Sequence, residues 1–458
     1  MEKITIYHTN DMHSHLTYWP RIAKYLSDEK KRKKSENETV FVFDSGDATD
    51  RMHSLTEATE GKAIASLLHE GEYDAITIGN NEGIGNTKQQ LNNLFADSVY
   101  KVVVSNLIDK ETKARPDWAE EVVLLETVKN HKLALIGCTI PLPLSYDSLG
   151  WEVKDPIETI ANVVQEYKDE VDGFILLSHL GLGTDREIAS LFPEILVILG
   201  GHTHHLLPEG EKVNNTLIAG AGKFGTHVGI VTIELDHSYS GHLTAQVIDA
   251  RTHLKEIENE RSQIEDLMTL GNTMLESEKL GVLSNPLEKQ WTKEPNLISL
   301  TLDAMRASSN GDGAIVNAGL FLKSIPEGIA NRKQIHEALP HPMRLIEVAL
   351  TGKHLMNMLK EMERQQDYLK TLPVKGYGFR GEVFGEIRYQ GIDVNDEEVR
   401  IDNNKIIMDR LYRIITVDYL MYVPYFPVLQ KASKVKIISS DFLRTIVGNY
   451  VKNQYPSS

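Results

Sequence analysis

The chain has 458 residues with a formal net charge of −16, and its length exceeds one ordinary core, so two domains are predicted. Hydrophobic residues make up 41% and charged residues 25%, the balance of a globular protein, and no apolar run is long enough to span a bilayer. The acidity argues against electrostatic binding to nucleic acid or to an anionic membrane, although bound divalent cations would reverse the sign locally and attract a phosphate.

Met1-Glu2-Lys3 leads directly into an apolar segment with no basic-then-apolar leader, and the lone Cys138 lies in an apolar run. Together these features predict a cytoplasmic protein with a buried structural thiol. Apolar runs predict strands at Ile4–His8, Val40–Asp44, Ala75–Ile78, Val102–Ser105, Lys132–Ile136, Gly173–Ser178 and Ile195–Leu199. Helical patterns fall between several of them, at Trp19–Lys31, Gly61–Glu70, Pro156–Asp169 and Asp185–Leu191. This alternation predicts an α/β fold with sheets buried between helical layers. Strands at Thr216–Ala219, Val228–Leu235 and Leu243–Ala250 close the first domain, placed at residues 1–253. A charged stretch over residues 254–280 reads as a linker helix, and a second α/β domain occupies residues 281–458. In that domain helices are predicted through Asn296–Ser308 and from Lys353, with strands at Ala314–Asn317 and Leu345–Leu350.

Polar blocks follow the apolar runs: Asn10-Asp11-Met12-His13, Asp44-Ser45-Gly46-Asp47, Gly79-Asn80-Asn81-Glu82, Ser178-His179 and Gly200-Gly201-His202-Thr203-His204. Ligands of open α/β sheets bind beyond the carboxyl ends of strands, where loops distant in sequence converge. In Asp11-x-His13 and His202-x-His204 the alternation of an extended segment lets both side chains reach one site. Carboxylate, amide and imidazole together suit borderline divalent ions such as Mn, Zn, Fe or Co. Two such ions sharing a carboxylate bind phosphoryl oxygens and generate a hydroxide nucleophile.

The ordered set of blocks resembles the calcineurin-like metallophosphoesterases. The opening "HTNDMHSH", the "DSGD" block and the C-terminal segment make the chain similar to the bacterial 5'-nucleotidase/UDP-sugar hydrolase family. The resemblance implies a four-layer αββα domain followed by a smaller α/β substrate domain, with a hinge in the linker. It implies two divalent metal ions, one held by Asp11, His13 and His204 and the other by Asn80, His179 and His202, with Asp47 bridging. It also implies an enzyme that hydrolyses a nucleotide or nucleotide-like phosphate ester or phosphoanhydride.

The chain departs from the family pattern at several points. Asn81 stands where the family has a phosphate-contacting His, and Ile84 where an Asp orients that His. Asparagine can steady a phosphoryl oxygen but cannot donate a proton as an acid. A nucleoside leaving group would suffer most from this loss, so a preference for phosphoanhydrides is expected; His15 or Glu82 is an alternative source of the missing group. In the second domain Asn317 and a glycine persist, Leu322 replaces a substrate-binding Arg, and Lys323 is the adjacent cation. Tyr419 is a candidate base-stacking platform, and core packing is the competing role. A metal-dependent nucleotide-binding or regulatory protein with weakened turnover is the alternative reading.

Overall fold

The computed structural model describes residues 2–235, 242–290, 292–376, 378–395, 398–432 and 434–456. The chain divides into two compact units, Met1–Gly271 and Asn272–Ser458.

The first unit carries two six-stranded sheets. One runs in the spatial order His242–Asp249, His227–Leu235, Glu2–Thr9, Thr39–Asp44, Ala75–Ile76, Lys101–Val102. The other runs Glu211–Val213, Thr216–Ala219, Ile195–Gly200, Gly173–His179, Lys132–Thr139, Val122–Glu126. Ile4, Ile6, Phe43 and Val231 of the first sheet pack with Leu135, Ile175, Leu177 and Leu199 of the second, so the sheets lie face to face. Helices Trp19–Ser35, Lys62–Glu70 and Lys88–Phe95 cover the outer side of the first sheet. Helices Pro156–Tyr167 and Leu182–Leu191 cover the second. Central strands must bury both faces, which is why they read as unbroken Val/Ile/Leu runs. The result is the expected four-layer αββα arrangement.

Local chemistry sets the helix starts. Asp155 caps helix Pro156–Tyr167 by accepting from Glu158 N at 2.9 Å, and Pro156 sits in the first turn, where no donor is lost. Two expectations shift. The strand predicted at Val102–Ser105 ends at Val102, because Val103 bridges Glu120 and the Ser105 hydroxyl turns to Glu121 O. The helix predicted across Leu254–Lys279 begins at Glu260, whose carboxylate accepts from Ile257 N at 3.1 Å and from Arg21 Nε at 2.8 Å.

The second unit is built on a five-stranded sheet ordered Ile387–Gln390, Gly313–Asn317, Leu411–Val417, Arg344–Thr351, Val435–Phe442. Helices Leu297–Ala307, Gly352–Leu369 and Leu443–Gln454 share its separate core. None of the described helices is long and apolar enough to cross a membrane.

Candidate metal centre

Strands Glu2–Thr9, Thr39–Asp44 and Ala75–Ile76 run parallel, so the loops after them leave the same edge of the sheet. Those loops carry Asp11 and His13, then Asp47, then Asn80 and Asn81. In the facing sheet, parallel strands Gly173–His179 and Ile195–Gly200 end on His179 and lead into His202 and His204. Sequence-distant residues are thus brought to one place. Asp11, His13, Asp47, His202 and His204 all have left-handed backbone, with φ between 49° and 68°. Non-glycine residues take this conformation at a cost of about 1–2 kcal/mol each, and such strain gathers at functional sites.

Asp11, His13 and His204 form one group of donors able to hold a metal ion, and Asp11, Asp47 and His179 form another. His13 Nε2 lies 3.1 Å from His204 Nε2, and His204 Nε2 is 3.4 Å from Asp11 Oδ1. His179 Nε2 is 3.3 Å from Asp47 Oδ2, and Asp47 Oδ2 is 3.9 Å from His13 Nε2. His202 Nδ1 lies 2.9 Å from Asn80 Oδ1. Donors bonded to one first-row cation at about 2.0–2.2 Å sit roughly 3 Å apart, which the separations of 2.9–3.4 Å match, whereas Asp47 Oδ2 to His13 Nε2 is longer at 3.9 Å. Asp11 and Asp47 are almost fully buried, and among the described residues only histidines lie within ion-pair reach of them.

His179 gives the sharpest test of fit. Its Nδ1 is 2.8 Å from Ser45 O, which can only accept, so Nδ1 carries a proton. Its Nε2 is buried, has no hydrogen-bond partner and faces the Asp47 carboxylate. An aimed nitrogen of this kind, fixed by a carbonyl at the opposite ring position, is what a metal-ligating histidine presents. Burial opposes charge on His179, but the Asp47 carboxylate outweighs it and pushes the imidazole up to about 10. Burial would raise Asp47, yet His179 and His13 hold it well below the usual carboxylate range. His202 is lowered to about 4 by burial and by neighbouring His179, and burial likewise lowers His13.

Close loop approach makes this possible. A Cβ on Gly79 would lie 2.0 Å from Asp47 Oδ1, and one on Gly46, at φ +89°, would lie 2.5 Å from Gly79 N. Asn10, beside Asp11, donates to Asp11 Oδ2 at 2.7 Å and to Gly222 O at 2.8 Å.

Residues 4–206 match the model of the calcineurin-like phosphoesterases, and residues 271–423 match that of the 5'-nucleotidase C-terminal domain. The metallophosphoesterase YunD of Bacillus subtilis (strain 168) is 33% identical over 459 residues, covering 97% of this chain and 98% of its own. The chain belongs to the calcineurin-like metallophosphoesterases. This metallophosphoesterase is therefore a hydrolase, and it carries a 5'-nucleotidase-type C-terminal domain. Two solved structures share the fold. A 5'-nucleotidase precursor from Thermus thermophilus aligns over 99% of this chain and 97% of its own, with a TM-score of 0.59 at 20% identity. The NAD nucleotidase of Haemophilus influenzae aligns over 99% and 96%, with a TM-score of 0.65 at 17% identity.

In this metallophosphoesterase Asn81 sits inside the donor set. Its Nδ2 lies 2.9 Å from both Asp47 Oδ2 and His13 Nδ1, and its backbone N–H donates to Asp47 Oδ1 at 2.7 Å. Ile84 packs beside the apolar core under the first sheet. Glu82 is committed to structure: its carboxylate accepts from Asp47 N, Gly79 N, Thr49 N and Thr49 Oγ1 at 2.8–2.9 Å. It joins the loops of Asp47 and Asn80 and is not a spare acid. His15 stacks on Phe224 at 3.8 Å, His8 is buried in its strand against Gly229, and His205 is exposed beside Thr203. Asp50, 3.8 Å from His13 Nδ1, was not singled out by the sequence, which gives it no repeat or spacing to mark it.

The second-unit candidates separate. Tyr419 donates its hydroxyl to Asn317 Oδ1 at 2.5 Å, and Asn317 Nδ2 donates to Phe384 O at 2.6 Å, all buried. Lys323 lies away from this pair, exposed and 3.0 Å from Glu337.

Proposed function

We propose that the chain hydrolyses a nucleotide-like phosphate ester or phosphoanhydride at a centre of two divalent ions, such as Mn, Zn, Fe or Co. Asp11, His13 and His204 would hold one ion, Asn80, His179 and His202 the other, and Asp47 would bridge them. The observation that carries this reading is the buried His179 Nε2 facing the Asp47 carboxylate at 3.3 Å among left-handed ligand loops. When bound, such ions polarise phosphoryl oxygens and make water a usable nucleophile near neutral pH.

The chain's own residues do the positioning. Asp47 lies beside both His13 and His179 and is fixed by the Asn81 backbone N–H. Glu82 clamps the Asp47 and Gly79 backbone so that these loops do not part. The Asn81 amide, 2.9 Å from both Asp47 Oδ2 and His13 Nδ1, holds these two ligand side chains in place without transferring a proton. No ionisable hydrogen is available from Asn81 for a departing alkoxide. A departing phosphate is stable as an anion, so anhydrides escape the penalty of about 10²–10⁴-fold that lost acid catalysis brings. The recommended test is kcat/KM for ADP against AMP, a pair sharing one organic part. ADP should lead by at least about 10²-fold, and a clear AMP preference would overturn the leaving-group argument.

A further inference from the structure

The segment after strand Thr216–Ala219 reads Gly220-Ala221-Gly222-Lys223-Phe224-Gly225, and it is tied to the loop that carries Asp11. Ala221 N donates to Asn10 Oδ1 at 2.9 Å, Asn10 Nδ2 donates to Gly222 O at 2.8 Å, and Phe224 N donates to Asp11 O at 2.8 Å. Phe224 has a left-handed backbone, with φ +63°. A bulky residue rarely takes this conformation, and the bonds to the Asn10-Asp11 segment hold it there. Its ring stands edge to face with the His13 ring at 5.8 Å and stacks on the His15 ring at 3.8 Å.

Lys223 Nζ lies 4.6 Å over the same Phe224 ring, so a proposed metal ligand and an ammonium touch one side chain. Lys223 is exposed, and among the described residues no carboxylate lies within ion-pair reach of it. This cation stands unpaired in a chain of net charge −16. The ring face attracts the ammonium without neutralising it, so its charge remains available to an anion. The Nδ1 side of His13 has the opposite sign, with Asp50 Oδ2 at 3.8 Å. A second anionic group on a bound phosphoryl compound is therefore repelled on the Asp50 side and attracted on the Lys223 side.

We propose that Lys223 binds the second phosphoryl group of a phosphoanhydride, next to the one held at the centre, and so selects diphosphates and their esters. The proposal rests on the phosphohydrolase reading and deepens it. It gives the anhydride preference a residue that acts through charge, independent of proton transfer to the leaving group. Lysine suits this role as a flexible point charge with three donors.

The test is calorimetric titration of the full-length protein at saturating Mn²⁺ with methylenediphosphonate, a diphosphate analogue that resists hydrolysis, and separately with inorganic phosphate. Lys223→Gln should weaken methylenediphosphonate binding about 10-fold and phosphate binding much less. Lys223→Arg, which keeps the charge, should bind the analogue nearly as the wild type does. Equal effects of Lys223→Gln on the two ligands, or no effect on either, would overturn the proposal. So would an Arg variant as weak as the Gln variant. Release of p-nitrophenolate from bis(p-nitrophenyl) phosphate, which has no second phosphoryl group, is scored apart. Its absence beside the expected binding pattern refutes hydrolysis, whereas metal-dependent turnover beside unselective binding refutes only the role of Lys223.

Discussion

Asn81 places an uncharged amide within 2.9 Å of both Asp47 and His13. Replacing Asn81 with His and Ile84 with Asp together should raise turnover of monophosphates by about 10²–10⁴-fold, with a smaller effect on anhydrides. Steady-state kinetics on AMP and ADP check this, and equal changes on both would contradict it. The blocks around the centre were legible in the sequence because each is a short polar run after an apolar one. The Asn81 substitution was legible for the same reason. Glu82's four hydrogen bonds were not, because three of the partner atoms belong to the Asp47 loop, more than thirty positions away. Nor was the stacking of Phe379 on His341 and Tyr419, in which three chain segments meet through tertiary packing alone. Asp185 shows a separate consequence of burial. Burial pushes its carboxyl up from the ordinary 3.8 to about 7, against the Ser178 hydroxyl and His179, which lower it. Its contribution to stability is whole below about pH 4 and is lost as pH rises through about 7, with a slope approaching about 1.4 kcal/mol per pH unit between them. Asp185→Asn should therefore flatten the fall of Tm with pH across that window. Parallel Tm curves for variant and wild type would contradict it.

At the scale of the element, parallel strands and their carboxyl-end loops do most of the positioning. The central strands were readable because burial on both faces makes them continuous apolar runs. Edge strand Val122–Glu126 was not, since it exposes Leu124 and its pattern is mixed. Strand Val435–Phe442 of the second unit was missed as well, because all but its last position are exposed or half-exposed. Loop approach is the element-level device most open to test. A methyl group on Gly79 would collide with Asp47 Oδ1 and drive the two loops apart. Gly79→Ala should lower metal uptake as severely as the loss of a ligand, on the order of 10²-fold in affinity, while far-UV circular dichroism stays unchanged. Metal titration checks it, and wild-type affinity would show that the loops have slack.

Across the whole molecule, the two units have separate hydrophobic cores. The proposed ligands all belong to the first unit, and the stacked rings of His341, Phe379 and Tyr419 belong to the second. A cation bound only by the folded first unit stabilises it by about 4 kcal/mol when free metal exceeds Kd 1,000-fold. Metal should therefore raise the unfolding transition of that unit, with a smaller effect on the other, in a calorimetric scan with and without chelator. Uniform shifts in both transitions would contradict that assignment. The most direct test is release of phosphate from ADP and of p-nitrophenolate from bis(p-nitrophenyl) phosphate by metal-stripped protein reconstituted with Mn²⁺, beside Asp47→Asn. The account predicts that turnover appears only with metal, that the wild type binds two ions, and that Asp47→Asn loses on the order of 10³-fold in rate. Turnover unaffected by chelation, or by Asp47→Asn at full metal content, would contradict it.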